Sequence, residues 1–285
     1  KNTIFEQIYK GNYIMDNTQR TINKNVWSRG INKIYSEFIQ ILKEKEFTSE
    51  KGQTLRYMFF PEKHSKILLV GFQACNDNGA RYNYVRTVAG CQVNRLFIKD
   101  DFGVNHCGNY YLGCNGTYSV EEAVFELINK FRNQIELEKL IFIGSSKGGY
   151  AALNFGLRYK NTDIIVAAPQ YYLADYLDSD KFRGILDDIL GEEVTTEKKV
   201  WLNMRLKTMI EHDQYKHSQR IFIHYSTQEH TYKEHVMDLL NELKCKDIPM
   251  QEDVGTYQVH SDLKYYFPNY IQTVINKIKK HDSCM

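Results

Sequence analysis

The run Leu140-Ile-Phe-Ile-Gly-Ser-Ser-Lys-Gly-Gly-Tyr-Ala-Ala-Leu153 constrains this chain more than any other feature. Leu140 to Ile143 is wholly apolar, as a strand must be when both its faces are covered. It enters Gly144-Ser145-Ser146-Lys147-Gly148, a G-x-S-x-G pattern, and then a helix expected from about Ser146 to Tyr159. A serine on so tight a strand-to-helix turn needs neighbours without side chains, which Gly144 and Gly148 supply. The hydroxyl of Ser146 then projects at a helix N-terminus, where the dipole and free N–H groups favour developing negative charge. Ser145 is the weaker candidate because the glycine spacing centres on Ser146. The order G-x-x-x-x-G-K-[ST] of a phosphate-cradling loop is absent.

The surrounding pattern repeats strand and helix. Leu55 to Phe60 and Ile67 to Phe72 are expected to be adjacent strands separated by Pro61 to Ser65, and Arg95 to Lys99 a third. Ser119 and Glu122 form an apparent capping box, opening a helix whose Val120, Ala123, Val124, Leu127, Ile128 and Phe131 share one face. Strands are expected at Ile164 to Ala168 and Ile221 to Tyr225, helices around Val236 to Leu243 and over Tyr266 to Ile278. This alternation predicts a mostly parallel sheet with helices on both faces. It breaks at about 171–219, where a helical insertion suits a cap over the strand ends, or else a peripheral decoration. The domain reading is a helical extension over 1–53, with Ile31, Ile34, Tyr35, Phe38 and Leu42 on one stripe, followed by one α/β domain over 54–285.

Composition excludes some functions. Lys and Arg number 37 against 35 Asp and Glu, so no bulk charge points to nucleic acid. No apolar run approaches the roughly 18 residues of a membrane span. A chain that begins on Lys1 is expected to have lost its native start. The six cysteines show neither a disulfide framework nor a C-x-x-C pair, which suits reduced thiols and the cytoplasm. His106, Cys107 and Cys114 match no standard zinc spacing, so no metal is expected.

A serine nucleophile needs a base, itself oriented by an acid. Glu229, three residues beyond the strand ending at Ser226, is the candidate acid, although a carboxylate there also suits a helix start. His260, in the loop before the last helix, is the candidate base. His281 lies in the polar tail, and His230 and His235 share a helix with the acid they would have to face. For the oxyanion, the N–H of Lys147 and one from Phe72 or Gln73 are the candidate donors. The Lys147 side chain is expected to meet an anionic group or solvent. The basic stretch of Lys198, Lys199, Arg205, Lys207, Lys216 and Arg220 suits either phosphate binding or a solvated helix face.

Arg95-Leu-Phe-Ile-Lys-Asp-Asp-Phe-Gly103, Asn109-Tyr-Tyr-Leu-Gly113, Ser119-Val-Glu-Glu122 and Ile143-Gly-Ser-Ser-Lys-Gly-Gly-Tyr150 together resemble the α/β-hydrolase-type proteins of bacterial capsule biosynthesis. That group is similar to serine O-acetyltransferases of capsular polysaccharide and to a glycan-acetylating accessory secretion component. The resemblance covers roughly residues 55–280. It implies an α/β-hydrolase fold and acetyl transfer from acetyl-CoA, through Ser146, to a sugar hydroxyl of a polysaccharide. It also implies an association with the capsule synthesis machinery and no permanently bound cofactor. Glu229 and His260 fill the family's acid and base positions, with Glu229 departing from the commoner aspartate. Asp101 and Tyr111 fall near the site by motif, with loop hydrogen bonding as the plainer role. The same three residues also suit a carbohydrate esterase or deacetylase, and a non-catalytic assembly partner could retain them without use.

Overall fold

A computed structural model describes residues 38–76, 79–191 and 193–282. Residues from Glu44 onward form one compact unit, and the helical residues 38–43 belong to another. Ile31, Ile34 and Tyr35 of the expected N-terminal stripe lie outside the described residues.

Eight strands form one sheet: β1 (Glu44–Thr48), β2 (Thr54–Phe60), β3 (Ile67–Phe72), β4 (Asn94–Ile98), β5 (Lys139–Ser145), β6 (Thr162–Ala167), β7 (Gln219–Ser226) and β8 (Met250–Gly255). Their order is β1-β2-β4-β3-β5-β6-β7-β8. β2 runs antiparallel to β1 and β4, and every other pairing is parallel. The helices are α1 (Ser119–Gln134), α2 (Lys147–Gly156), α3 (Leu173–Leu177), α4 (Arg183–Leu190), α5 (Thr196–Glu211), α6 (Met237–Cys245) and α7 (Leu263–Asp282).

Alternation along the central strands feeds two cores. Leu140 and Phe142 of β5 join Val70, Ile164 and the buried faces of α1, α2 and α6. Ile141 and Ile143 point the other way, onto Leu69, Ile165 and the Phe267, Ile271 and Val274 face of α7. Continuous apolar runs are therefore what these strands require, which is why β3, β5, β6 and β7 were legible.

Three expectations need correction. β2 and β3 are not neighbours, because β4 lies between them, antiparallel to one and parallel to the other. The edge strands β1 and β8 escaped notice because half-solvated strands such as Glu44-Lys-Glu-Phe-Thr48 carry few apolar residues; β1 falls inside the stretch expected to be a helical extension. α1 does begin at Ser119, but its N-cap Tyr118 has no side-chain cap bond. The Ser119 hydroxyl donates to Gln53 and Glu122 accepts from Lys51, so the capping box is not formed.

The insertion between β6 and β7 comprises α3, α4 and α5, whose Leu173, Leu186, Ile189, Leu202 and Leu206 enter the first core. Arg205 of α5 reaches Glu121 of α1 at 2.5 Å and stacks on Tyr118 and Trp201, which ties the insertion to the sheet-covering helices. Among the described residues no helix is long and apolar enough to cross a membrane.

Candidate active site

The turn between β5 and α2 is built as its glycines require. A Cβ on Gly144 would lie 2.1 Å from the Gly148 carbonyl oxygen, and one on Gly148 would lie 2.8 Å from that of Phe72. Ser146 between them has φ 52° and ψ −121°, a backbone strained for a residue with a side chain. Its N–H donates to Ala167 (2.9 Å) and its carbonyl accepts from Tyr150 (3.0 Å), so the strained conformation is held from both sides. The two serines face opposite ways. Ser145 Oγ pairs with Tyr84 Oη at 2.5 Å, whereas Ser146 Oγ accepts from Gln170 Nε2 at 3.0 Å.

Two loops at the same edge of the sheet bring in Glu229 and His260. Ser226, the last residue of β7, donates through Oγ to the Tyr257 carbonyl at 2.5 Å, joining the loop after β7 to the loop after β8. Across that joint His260 Nδ1 lies 2.6 Å from Glu229 Oε1. Thr231 Oγ1 donates to the same oxygen at 2.7 Å. Burial would raise the Glu229 carboxyl, but the hydrogen bond and charge of His260, with Thr231, prevail and hold it below the usual carboxylate range. A carboxylate at Nδ1 assigns the imidazole proton to that nitrogen and leaves the Nε2 lone pair open. His260 Nε2 and Glu229 Oε2 are buried without a partner. The structure thus joins Glu229 to His260 and leaves the Ser146 hydroxyl on Gln170, not on the imidazole. Of the other histidines of this region, His230 pairs with Glu234 and lies 3.9 Å from Glu229 Oε1, and His235 accepts from the Tyr172 N–H.

The other residues singled out from sequence divide differently. The Gln73 backbone N–H, the expected oxyanion donor, is engaged with Tyr111 Oη at 2.8 Å, and its side chain donates to the Asp100 carbonyl and accepts from the Asp100 N–H. Phe72 ends β3 in register with Ile98, and its ring packs on Tyr111 and Phe155. Lys147 heads α2, where the first N–H groups have no partner inside the helix. Of the two expectations for its side chain, an anionic group or solvent, the structure shows an anionic group of the protein itself. The lysine side chain is wholly buried, 2.9 Å from Asp100 Oδ2 and 3.0 Å from the Cys107 carbonyl. Asp101 pairs with Arg56, and Tyr111 donates to the Ile98 carbonyl, so both act in shaping the loop.

The basic stretch is also largely spoken for. Lys198 binds the Leu190 and Glu193 carbonyls, Lys199 pairs with Asp178, Lys216 binds the Lys246 carbonyl, and Arg220 makes two bonds to Asp163. Arg220 lines a groove of about 890 Å³ with Lys66, Glu138 and Asp163. That groove lies at the amino ends of β3, β5, β6 and β7, the edge opposite Ser146, and the chemistry described above is not there.

Sequence reasoning missed Gln170, Asp100 and Thr231. Gln170 had one signal, a lone amide in the apolar run Ala167-Ala-Pro-Gln-Tyr171 just past β6.

This strand order, with a strained serine between β5 and α2 and a carboxylate–histidine pair drawn from the loops after β7 and β8, defines an α/β-hydrolase fold. The chain is similar to the capsule O-acetyltransferase of Neisseria meningitidis serogroup A, with TM-score 0.68 and 23% identity over 81% of this chain and 93% of that one. A variant of that enzyme in complex with CoA is similar at TM-score 0.66 and 20% identity, over 81% and 94% of the two chains. The glycosylation-associated protein complex of Streptococcus agalactiae gives TM-score 0.65 and 17% identity over 82% of this chain and 46% of that chain. A fluorophosphonate-binding serine hydrolase of Staphylococcus aureus gives TM-score 0.58 and 16% identity, over 82% and 96%. No protein-family model and no curated protein sequence matches the chain.

Proposed function

We infer that the protein is a serine O-acetyltransferase that moves an acetyl group from acetyl-CoA, through an acetyl-Ser146 intermediate, to a hydroxyl of a bacterial capsular polysaccharide. The observation that carries this is the Glu229–His260 pair, whose open, buried Nε2 is the lone pair an elbow serine at the same sheet edge requires. The similarity to a capsule O-acetyltransferase, and to its variant in complex with CoA, favours this donor and acceptor.

The Ser146 hydroxyl gives its proton to His260 Nε2 as Oγ bonds to the thioester carbon. Glu229 stabilises the imidazolium that results. The oxyanion is met by the first N–H groups of α2, beginning with Lys147. Collapse expels CoA thiolate, which takes the proton from His260. A sugar hydroxyl then repeats the sequence on the acyl-serine. Water competes at far higher concentration, so the α3–α5 insertion acts as a cap that excludes it and positions the acceptor. The chain acts in the cytoplasm alongside the capsule synthesis machinery, as a single α/β domain with acetyl-CoA as donor substrate and no resident cofactor.

Hydrolysis by the same three residues is the second reading, favoured by the similarity to a fluorophosphonate-binding serine hydrolase. Incubation with acetyl-CoA and a panel of capsular polysaccharides, read by mass spectrometry of the polymer, separates the two. Transfer predicts acetylated polymer and acceptor-dependent CoA release. Acetate release indifferent to every acceptor would favour the esterase.

A further inference from the structure

The reaction as written leaves one buried group at the serine without a task. Gln170 follows β6 through Ala168 and Pro169, is 0% exposed, and donates from Nε2 to Ser146 Oγ at 3.0 Å. Its Oε1 is buried and has no partner. A buried acceptor left unmet costs stability, so an apolar side chain of similar volume would serve packing better.

The direction of the bond indicates which step benefits. An N–H donated to Oγ withdraws charge, which makes that oxygen a poorer nucleophile and a better leaving group. Oγ is the nucleophile when acetyl-serine forms and the leaving group when it breaks. In the second step the acceptor oxygen bonds to the acyl carbon and its proton passes to His260 Nε2. The carbon–Oγ bond then breaks, its electron pair goes to Oγ, and the proton returns from His260 to Oγ. A donor already seated on Oγ stabilises the charge that gathers there before the proton arrives.

We propose, on the acetyl-serine reading above, that Gln170 is a catalytic residue of the second half-reaction: its N–H holds Ser146 Oγ in the resting protein and stabilises the same oxygen as the acetyl group departs. The step is common to water and sugar acceptors, so an aryl acetate tests it without knowledge of the polymer.

For such a substrate kcat/KM reports formation of the acyl-enzyme, and kcat reports its breakdown when breakdown is slow. Gln170→Met removes the donor at similar volume. Its kcat should fall roughly tenfold to a hundredfold, with KM falling in step, kcat/KM held within about threefold, and a burst of aryl alcohol approaching one equivalent. Gln170→Glu should behave alike, because a carboxylate accepts and cannot donate; if the Met variant does not fold, the Glu variant carries the comparison. Equal losses in kcat and kcat/KM would overturn the proposal in favour of a general positioning role. Unchanged kinetics beside an inactive Ser146→Ala would overturn it alone. A Ser146→Ala protein that turns over the ester as fast as wild type would overturn the acetyl-serine reading and the proposal together.

Discussion

Two groups of polar side chains lie near the ends of the central strands, and they differ in how completely they are satisfied. In the first, Asp100 accepts from the Asn109 N–H, the Tyr111 N–H and Lys147 Nζ, while Gln73 exchanges two hydrogen bonds with the Asp100 backbone. In the second, Gln170 Oε1, Glu229 Oε2 and His260 Nε2 are buried with no partner. Buried polar atoms are nearly always paired, so the Asp100 carboxylate with its three donors is a clamp, in which only the neighbouring Asn109 Oδ1 lacks a partner, whereas the second group has three atoms to spare. The charged lysine of the motif belongs to the clamp, and the open cluster is assembled from single residues far apart in the chain.

The largest expected effect separates the clusters by activity. Ser146→Ala should lower acetyl transfer roughly 10⁴-fold or more while leaving the urea midpoint near wild type, read by turnover and denaturation on one preparation. An unfolded variant would mean that the open cluster is also structural.

Lys147→Met should show the opposite profile. Removing one partner of a buried pair strands the other, at about 3–5 kcal/mol, read as a fall in unfolding free energy. Unchanged stability would contradict the clamp.

The third effect is smaller and depends on pH. His235 packs on Tyr172 and Tyr176, where the insertion begins. Burial pushes it down to about 4, against a lesser upward pull from Glu234. A depressed histidine is neutral in the fold, so its contribution is fully present above the ordinary value of 6.5 and is lost as pH falls towards 4. Wild type should lose up to about 3 kcal/mol across that window, and His235→Gln should lose less, measured by urea unfolding at several pH values. Parallel curves for the two proteins would contradict the assignment.

What the sequence revealed follows the same division. Ser146 was legible because its strain imposes glycines on its near neighbours in the chain. Glu229 and His260 were legible through their order along the chain, and the structure pairs them. Gln170 was not, because its place at Oγ arises from packing after β6 and leaves no local pattern. For the Lys147 side chain an anionic group or solvent was as far as the sequence went, because its partner Asp100 is 47 residues away and lysine is almost never fully buried unless paired. The strand order misled because consecutive strands are usually neighbours, and here β4 inserts between β2 and β3.

The central claim is that Ser146 is the nucleophile and acetyl-CoA its donor. The most direct measurement is the rate at which a fluorophosphonate labels the protein, located by peptide mass spectrometry, with and without acetyl-CoA. The account predicts label on Ser146 alone, slowed in proportion to acetyl-CoA. Label elsewhere, no label, or a rate indifferent to acetyl-CoA would contradict it.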